Sequence, residues 1–220
     1  MINNVLFDLD GTLVDTAVDL ANALNAIRQR HNMSALPYKT IRPTVSLGGN
    51  AMIKLAFGLE ENDPGFIDIR DQFLGFYREN IATETRLFEG MEAVLTSLEN
   101  NKIKWGIVTN KLSWLTDPLL KELGLDTRTG CVVSGDTTTE RKPHPAPILY
   151  ACELMQSKPE TTVYIGDAQR DIEAGQRAGT KTLVALYGYI DEDEDPESWL
   201  ADGMITTPLE INDRLIELCK

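Results

Sequence analysis

Two aspartates stand two positions apart near the start of the chain, in the segment Asp8-Leu9-Asp10-Gly11-Thr12, directly after the apolar run 5–7. Side chains two apart on a strand share a face, so we expect both carboxylates to project together from the end of a first strand. Carboxylates held together repel each other unless a cation or a shared proton offsets the repulsion. A divalent metal ion would do so and would leave one carboxylate free to act as a nucleophile.

Polar residues also follow other apolar runs of the chain. Thr109-Asn110-Lys111 and Gly166-Asp167 each end such a run, and Asp171 comes four residues after Asp167. Lys142 stands in a segment whose three prolines predict a stiff loop that holds the lysine in place. The ends of parallel strands meet at one crevice, so these groups are expected to lie together there.

A crevice with four carboxylates, a hydroxyl and an ammonium group fits phosphoryl transfer. A carboxylate can attack phosphorus and form an aspartyl phosphate. A metal ion, a lysine and hydrogen-bond donors would then stabilise the charge on the equatorial oxygens. Mg²⁺ suits such a site, because it prefers few carboxylates, a carbonyl oxygen and several waters.

The elements that carry these residues alternate along the chain. Apolar runs lie at 5–7, 105–108, 131–133, 163–165 and 183–186, with a weaker run at 204–205, and helical patterns lie at 89–98, 115–123 and 171–178. Alternating strands and helices predict an α/β fold with a doubly wound parallel sheet. The gap between the first two runs is far longer than a normal crossover and has helical patterns at 17–30, 50–57 and 67–81. We therefore expect a helical domain at 16–84, inserted into a core domain formed by 1–15 and 85–220.

Composition restricts the partners. The net charge of −13 argues against nucleic acid and against anionic membranes, since both need basic patches. No apolar run approaches the ~18 residues of a membrane span. Cys131, Cys152 and Cys219 lack metal or redox spacing, so we expect reduced thiols in a cytoplasmic protein. The expected partner is a small molecule, and the sequence leaves monomer and homodimer open.

Taken together, the segments 8–12, 109–111, 142 and 166–171 resemble the four motifs of the haloacid dehalogenase superfamily, in order and over nearly the whole chain. The resemblance implies a Rossmann-like core and a helical cap at 16–84. It implies that Asp8 is the nucleophile and that Asp10 is the general acid/base. By the same resemblance, Mg²⁺ would be held by Asp8, the Asp10 backbone carbonyl and Asp167, and Asp171 would support the metal site.

The remaining motif residues would bind the substrate. The resemblance implies that Thr109 and the backbone amide of Asn110 bind the phosphoryl group, and that Lys142 neutralises both nucleophile and phosphate. In the cap, Gly48 and Gly49 precede a helical pattern and expose backbone N–H groups, so this loop is either an anion site or a plain turn. Arg42 is the cap cation nearest to that loop in sequence, and it is a candidate substrate ligand.

Several functions remain open at this point. Within the superfamily, the chain resembles the phosphoglycolate phosphatase group, and its segments 87–91 and 187–210 also resemble the N-acetylmuramic acid 6-phosphate phosphatases. A phosphosugar mutase of the β-phosphoglucomutase type would share Asp8 and Asp10. A dehalogenase is disfavoured because Asp10 and Asp167 are both present, and a non-catalytic binding protein is disfavoured because the nucleophile and Lys142 are retained. The expected activity is therefore Mg²⁺-dependent hydrolysis of a small phosphate monoester.

Overall fold

The computed structural model describes residues 2–219. Its strands are β1 (Asn4–Phe7), β2 (Val14–Asp15), β3 (Arg86–Leu87), β4 (Lys104–Val108), β5 (Val132–Val133), β6 (Thr162–Gly166), β7 (Lys181–Ala185) and β8 (Gly203–Ile205). Six of them form one parallel sheet in the order β5-β4-β1-β6-β7-β8. This arrangement confirms the α/β, Rossmann-like doubly wound core, with β1 at its centre.

Helices cover both faces of this sheet. The helices are α1 (Ala17–Arg30), α2 (Tyr38–Ile41), α3 (Gly49–Phe57), α4 (Phe66–Glu79), α5 (Met91–Asn100), α6 (Ser113–Glu122), α7 (Ala146–Leu154), α8 (Gln169–Ala178) and α9 (Ile211–Glu217). Successive residues of β1 point to opposite faces, so Leu6 belongs to the core cluster that includes α7 and α8, whereas Val5 and Phe7 belong to the cluster that includes α5. Within residues 2–219, none of these helices is both long and apolar enough for a transmembrane segment.

The helices α1 to α4 lie between two short strands that pair with each other. β2 and β3 are antiparallel, with Val14 opposite Leu87 and Asp15 opposite Arg86. The chain therefore leaves the core and returns to it at adjacent points. Buried Asp19 on α1 reinforces this junction, because its carboxylate accepts hydrogen bonds from the backbone amides of Glu84 and Thr85 and from the Thr85 hydroxyl.

The structure differs from the sequence-based expectation beside Lys142. The proline-rich segment was expected to be a loop throughout, but α7 begins at Ala146 and has Pro147 in its first turn. Proline is tolerated there because the first turn of a helix has no internal partner for its N–H groups. Helix α7 then buries Ile148, Ala151 and Cys152, which are spaced for one helical face. The loop that carries Lys142 is consequently anchored at its C-terminal end by a packed helix.

Candidate active site

The residues expected to do chemistry lie directly after the carboxyl ends of the central strands of the sheet. Phe7 lies opposite Ile107 on β4 and Ile165 on β6, so Asp8 sits between the ends of both neighbouring strands. Thr109 and Asp167 follow those strands directly and are buried. Parallel pairing therefore brings three residues that are far apart in sequence to one point.

Glycine at position 11 is required by the close approach of Asp167. Gly11 has φ +86°, and a Cβ atom there would lie 2.2 Å from Oδ2 of Asp167. Gly188 is also packed closely against Asp167, since a Cβ atom at position 188 would lie 2.3 Å from the Asp167 Cβ. Larger residues at either position would displace Asp167 from the site.

Lys142 lies at the centre of the buried carboxylates. Its Nζ is 2.8 Å from Oδ1 of Asp8 and 2.8 Å from Oδ1 of Asp171. It also donates to the Val108 carbonyl at 2.9 Å and to the Tyr164 hydroxyl at 2.8 Å. The side chain is almost fully buried, and its ammonium group is surrounded by four oxygen atoms, three of which accept its hydrogen bonds.

Asn110 positions the backbone of this lysine. Its side-chain amide donates to the Lys142 carbonyl at 3.0 Å, and its side-chain oxygen accepts from the Lys142 amide at 3.1 Å. The sequence predicted only a role for the Asn110 backbone amide, so this side-chain function was missed. The neighbouring Thr109 oxygen accepts from the Lys111 amide at 3.1 Å, which leaves the Thr109 hydroxyl proton available for a ligand.

Three carboxylates form the candidate metal centre. One oxygen from each of Asp8, Asp167 and Asp171 lies within 4.8 Å of the others, and all three residues are buried. Asp171 was expected to support the metal site, and its side chain lies beside the other two carboxylates. Its Oδ2 accepts from the Ala168 amide at 3.1 Å, whereas its buried Oδ1 has no hydrogen-bond partner among the described residues, although Lys142 lies 2.8 Å away.

The electrostatics of these carboxylates favour a bound cation. Burial raises the pKa of Asp8 to about 6, the opposing effect of Lys142 being smaller, and nearby Asp171 adds to the increase. Burial also raises the pKa of Asp167 to about 7, with further contributions from Asp8 and Asp171. Ionised forms are therefore disfavoured in the protein alone. A hard divalent cation with oxygen ligands would offset this repulsion, so the residues present fit Mg²⁺.

Asp10 belongs to a second, separate ion pair. Its Oδ1 accepts from the Thr16 hydroxyl at 2.6 Å and from Nζ of Lys111 at 2.8 Å. The same lysine donates to the hydroxyl of Tyr77, on α4, at 3.1 Å. The two motif aspartates are thus held by different lysines.

The loop before α3 contacts the candidate metal centre. The Ser46 hydroxyl donates to Oδ2 of Asp167 at 2.6 Å, and Arg170 donates to the Ser46 carbonyl. Arg42 donates to the Tyr187 carbonyl at 3.2 Å, with its guanidinium carbon 4.8 Å from the centre of the Tyr189 ring. Ser46, Lys111 and Arg170 had no predicted role, because each depends on contacts between distant segments.

A cavity of about 670 Å³ opens between these helices and the sheet edge. It is lined by motif residues, by the loop before α3 and by α4, among them Asp8, Asp10, Thr109, Asn110, Gly48, Gly49, Arg70, Tyr77, Arg141 and Arg170. Among the described residues that line it, Arg42 is absent. The structure therefore brings Gly48 and Gly49 to the candidate site and places Arg42 against the core, where it contacts Tyr187 and Tyr189.

Comparison with known proteins identifies the family. A family model described as haloacid dehalogenase-like hydrolase matches residues 5–185. The chain belongs to this family. The superfamily resemblance based on the four motifs is thereby confirmed.

Individual members of the haloacid dehalogenase-like hydrolases resemble the chain over almost its full length. An N-acetylmuramic acid 6-phosphate phosphatase of Pseudomonas putida is 37% identical over 94% of this chain and 93% of its own. A phosphoglycolate phosphatase of Xanthomonas campestris pv. campestris is 39% identical over 93% of this chain and 92% of its own. A crystal structure of a predicted phosphoglycolate phosphatase from Haemophilus somnus has a TM-score of 0.86 and 26% identity, with 97% of both chains covered.

Proposed function

We propose that this haloacid dehalogenase-like hydrolase is a Mg²⁺-dependent phosphatase that hydrolyses a small phosphate monoester through an aspartyl phosphate on Asp8. Relatives named as phosphatases support hydrolysis of a phosphoric monoester. The observation that carries the proposal is the set formed by Asp8, Lys142, Asp167 and Asp171. It combines a buried carboxylate, an ammonium group 2.8 Å away and two further carboxylates suited to a metal ion.

In the proposed first step, a carboxylate oxygen of Asp8 attacks phosphorus while the bond to the leaving oxygen breaks. Asp10 gives its proton to that oxygen. Thr109, the Asn110 amide and Lys142 hold the phosphoryl oxygens. Bound Mg²⁺, held by Asp8, Asp167 and the Asp10 carbonyl with Asp171 beside them, would neutralise charge on the phosphoryl group.

In the second step, water replaces Asp8 on phosphorus. Asp10 now takes a proton from this water, so the carboxylate that acted as acid acts as base. Asp8 is released as a carboxylate and the product is inorganic phosphate. The same two residues thereby complete the cycle and return to their starting protonation states.

We propose that residues 16–84 act as a cap that covers the reacting groups and selects the substrate. The contacts of Ser46 with Asp167 and of Arg170 with the Ser46 carbonyl support this role, since they join the inserted helices to the core at the site. Covering the cavity would exclude bulk water from the reacting phosphate. Within it, Gly48 and Gly49 are candidate ligands for the substrate, and Arg42 supports the cap against Tyr187.

The proposed substrate is N-acetylmuramic acid 6-phosphate or 2-phosphoglycolate. Both esters carry a carboxylate besides the phosphate, and Arg70 and Arg141 are cations in the lining of the cavity. A volume of about 670 Å³ lies within the range of pockets for drug-sized ligands, about 300–1,000 Å³. This size favours the larger ester, because a sugar ring would fill space that phosphoglycolate leaves to water.

A panel of esters tests the proposed function. Release of phosphate is measured as kcat/KM, with and without Mg²⁺, for N-acetylmuramic acid 6-phosphate, 2-phosphoglycolate, β-glucose 1-phosphate and p-nitrophenyl phosphate. We expect Mg²⁺-dependent release and a preference of about a hundredfold for one carboxylated ester, a difference of about 2.7 kcal/mol in transition-state binding. Conversion of β-glucose 1-phosphate into glucose 6-phosphate would instead indicate a mutase. The absence of phosphate release from every ester would refute the proposal.

Metal binding is tested apart from activity through Asp167→Asn. Mg²⁺ at about 100 times its Kd should stabilise the parent protein by about 2.7 kcal/mol. For a domain of this size, that corresponds to a rise in Tm of about 5–10 °C. The variant should lose most of this rise because a ligand is removed, whereas Asp126→Asn, at an exposed position, should retain it. Equal rises in Tm with Mg²⁺ in all three proteins would show that Asp167 is not a metal ligand.

A further inference from the structure

Lys111 connects the proposed acid/base residue to the inserted helices. Its Nζ is 2.8 Å from Oδ1 of Asp10 and 3.1 Å from the Tyr77 hydroxyl. The ammonium group also lies 4.7 Å from the centre of the Tyr77 ring. Tyr77 is fully buried on α4, so one lysine of the core is held between a core carboxylate and a cap residue.

The environment keeps this lysine charged. Its side chain is only 7% exposed, and its ammonium group forms an ion pair with Asp10 and a hydrogen bond to the Tyr77 hydroxyl, both of which favour the charged form. Burial raises the pKa of Tyr77 to about 12, so its hydroxyl stays protonated. Lys111 is therefore a fixed cation beside Asp10 and not itself a base.

The contacts on Asp10 leave one carboxylate oxygen for the reaction. Lys111 and the Thr16 hydroxyl both bond to Oδ1. Within residues 2–219, no hydrogen bond to Oδ2 of Asp10 is present, and Asp10 lines the cavity. The lysine thus fixes the carboxylate through Oδ1 and leaves Oδ2 to exchange a proton with the substrate.

We propose that Lys111 is a positioning residue for proton transfer by Asp10, and that Tyr77 of the cap holds Lys111 in place. This inference rests on the proposed phosphatase function. In the first step, Asp10 loses its proton to the leaving oxygen as the P–O bond breaks and the bond from Asp8 to phosphorus forms. Negative charge then develops on Asp10, and the adjacent ammonium group stabilises it. Because Tyr77 is on α4, proton transfer would be most efficient when the cap is seated on the core.

The test compares two leaving groups. An alkyl phosphate needs a proton on its leaving oxygen, whereas p-nitrophenolate leaves without one. We measure kcat/KM, which covers the steps up to loss of the leaving group, for the best alkyl ester of the panel and for p-nitrophenyl phosphate. Lys111→Met should lower the value for the alkyl ester by about 10²-fold, the lower end of the loss expected for a missing general acid, and that for the aryl ester by less than about tenfold.

Further variants separate this role from general damage to the fold. Asp10→Asn should show the same selectivity for the alkyl ester, and Lys111→Arg should recover most of the loss because the positive charge returns. Tyr77→Phe keeps the ring and loses one hydrogen bond, so a loss of about three- to tenfold is expected on the alkyl ester only. Lys181→Met is the control. Lys181 pairs with Asp202 at the amino end of β7, away from the carboxyl ends of the strands that form the site. The kcat/KM values for both esters should equal those of the parent protein.

The outcomes distinguish this inference from the function on which it rests. Equal losses on both esters in Lys111→Met and in Tyr77→Phe would overturn the positioning role and indicate a structural one. No loss on either ester would also overturn it. A parent protein that hydrolyses none of the esters would instead refute the proposed function, and the inference with it.

Discussion

Asp8→Asn should abolish turnover, with a loss in kcat of at least about 10⁴-fold, while the protein folds normally. Removing a covalent nucleophile has effects of that order, because the amide cannot form the intermediate. Asparagine is nearly the same size as aspartate, so the packing around Lys142 is kept. The measurement is steady-state hydrolysis of the best ester of the panel, with Asp117→Asn on the exposed side of α6 as control.

The stability of the Asp8→Asn variant provides an independent check. The raised pKa of Asp8 means that its ionised form is disfavoured in the folded protein relative to the unfolded chain. Above pH 6 the destabilisation caused by ionised Asp8 is fully present in the metal-free parent protein, whereas the Asp8→Asn variant lacks it. The free energy of unfolding at pH 8 should therefore be equal to or higher than that of the parent. A variant that is inactive and clearly less stable would point to misfolding rather than to a lost nucleophile.

Lys142→Met should affect both stability and activity. The substitution leaves Asp8 and Asp171 buried without the ammonium group that lies 2.8 Å from each. Loss of one partner from a buried ion pair costs about 3–5 kcal/mol. Loss of one charge-stabilising donor should also lower kcat/KM by about 10²–10³-fold. Denaturant unfolding and ester hydrolysis measure the two effects.

The effect of Lys142→Met on stability should grow with pH. Lys142 lowers the pKa of Asp8 against the larger effect of burial, so its removal raises that pKa above 6. A carboxyl group with a raised pKa in the folded state destabilises the protein progressively as pH rises toward that value. The loss should be smaller at pH 5 than at pH 8. Adding Asp8→Asn should restore part of it, and a loss independent of pH and of residue 8 would contradict the proposed ion pair.

Local sequence patterns predicted the sheet and most of the helices that pack on it. Apolar runs and helical spacing predicted the doubly wound sheet, because burial on both faces requires continuous apolar strands. Residues 17–30 were predicted as a helix, and α1 has these bounds. The strands β2 and β3 were missed, since two residues each are too few for a periodic pattern. Helix α7 was missed because its prolines suggested a loop, although proline is compatible with a first turn.

The motif residues were also found from local sequence, but most of their partners were not. Asp8, Asp167 and Lys142 were expected together at the ends of the parallel strands, and the structure places them there. The pairing of Lys142 with Asp8 was implied by the family resemblance, whereas the pairing of Lys111 with Asp10 had no sequence signal. The contact of Ser46 with Asp167 had none either.

The sequence by itself therefore determined the type of chemistry, since each motif consists of neighbouring residues at the end of a strand. Only the tertiary structure decided that Lys111 faces Asp10, which residues of the inserted helices reach the site and how large the cavity is. The physical reason is chain distance. The contacts of Lys111 with Asp10, Ser46 with Asp167 and Lys142 with Asp8 join residues 101, 121 and 134 positions apart. The contacts of Asp8 and Asp10 form only when distant strands pair in the sheet, and the contact of Ser46 forms only when the inserted helices pack on the core.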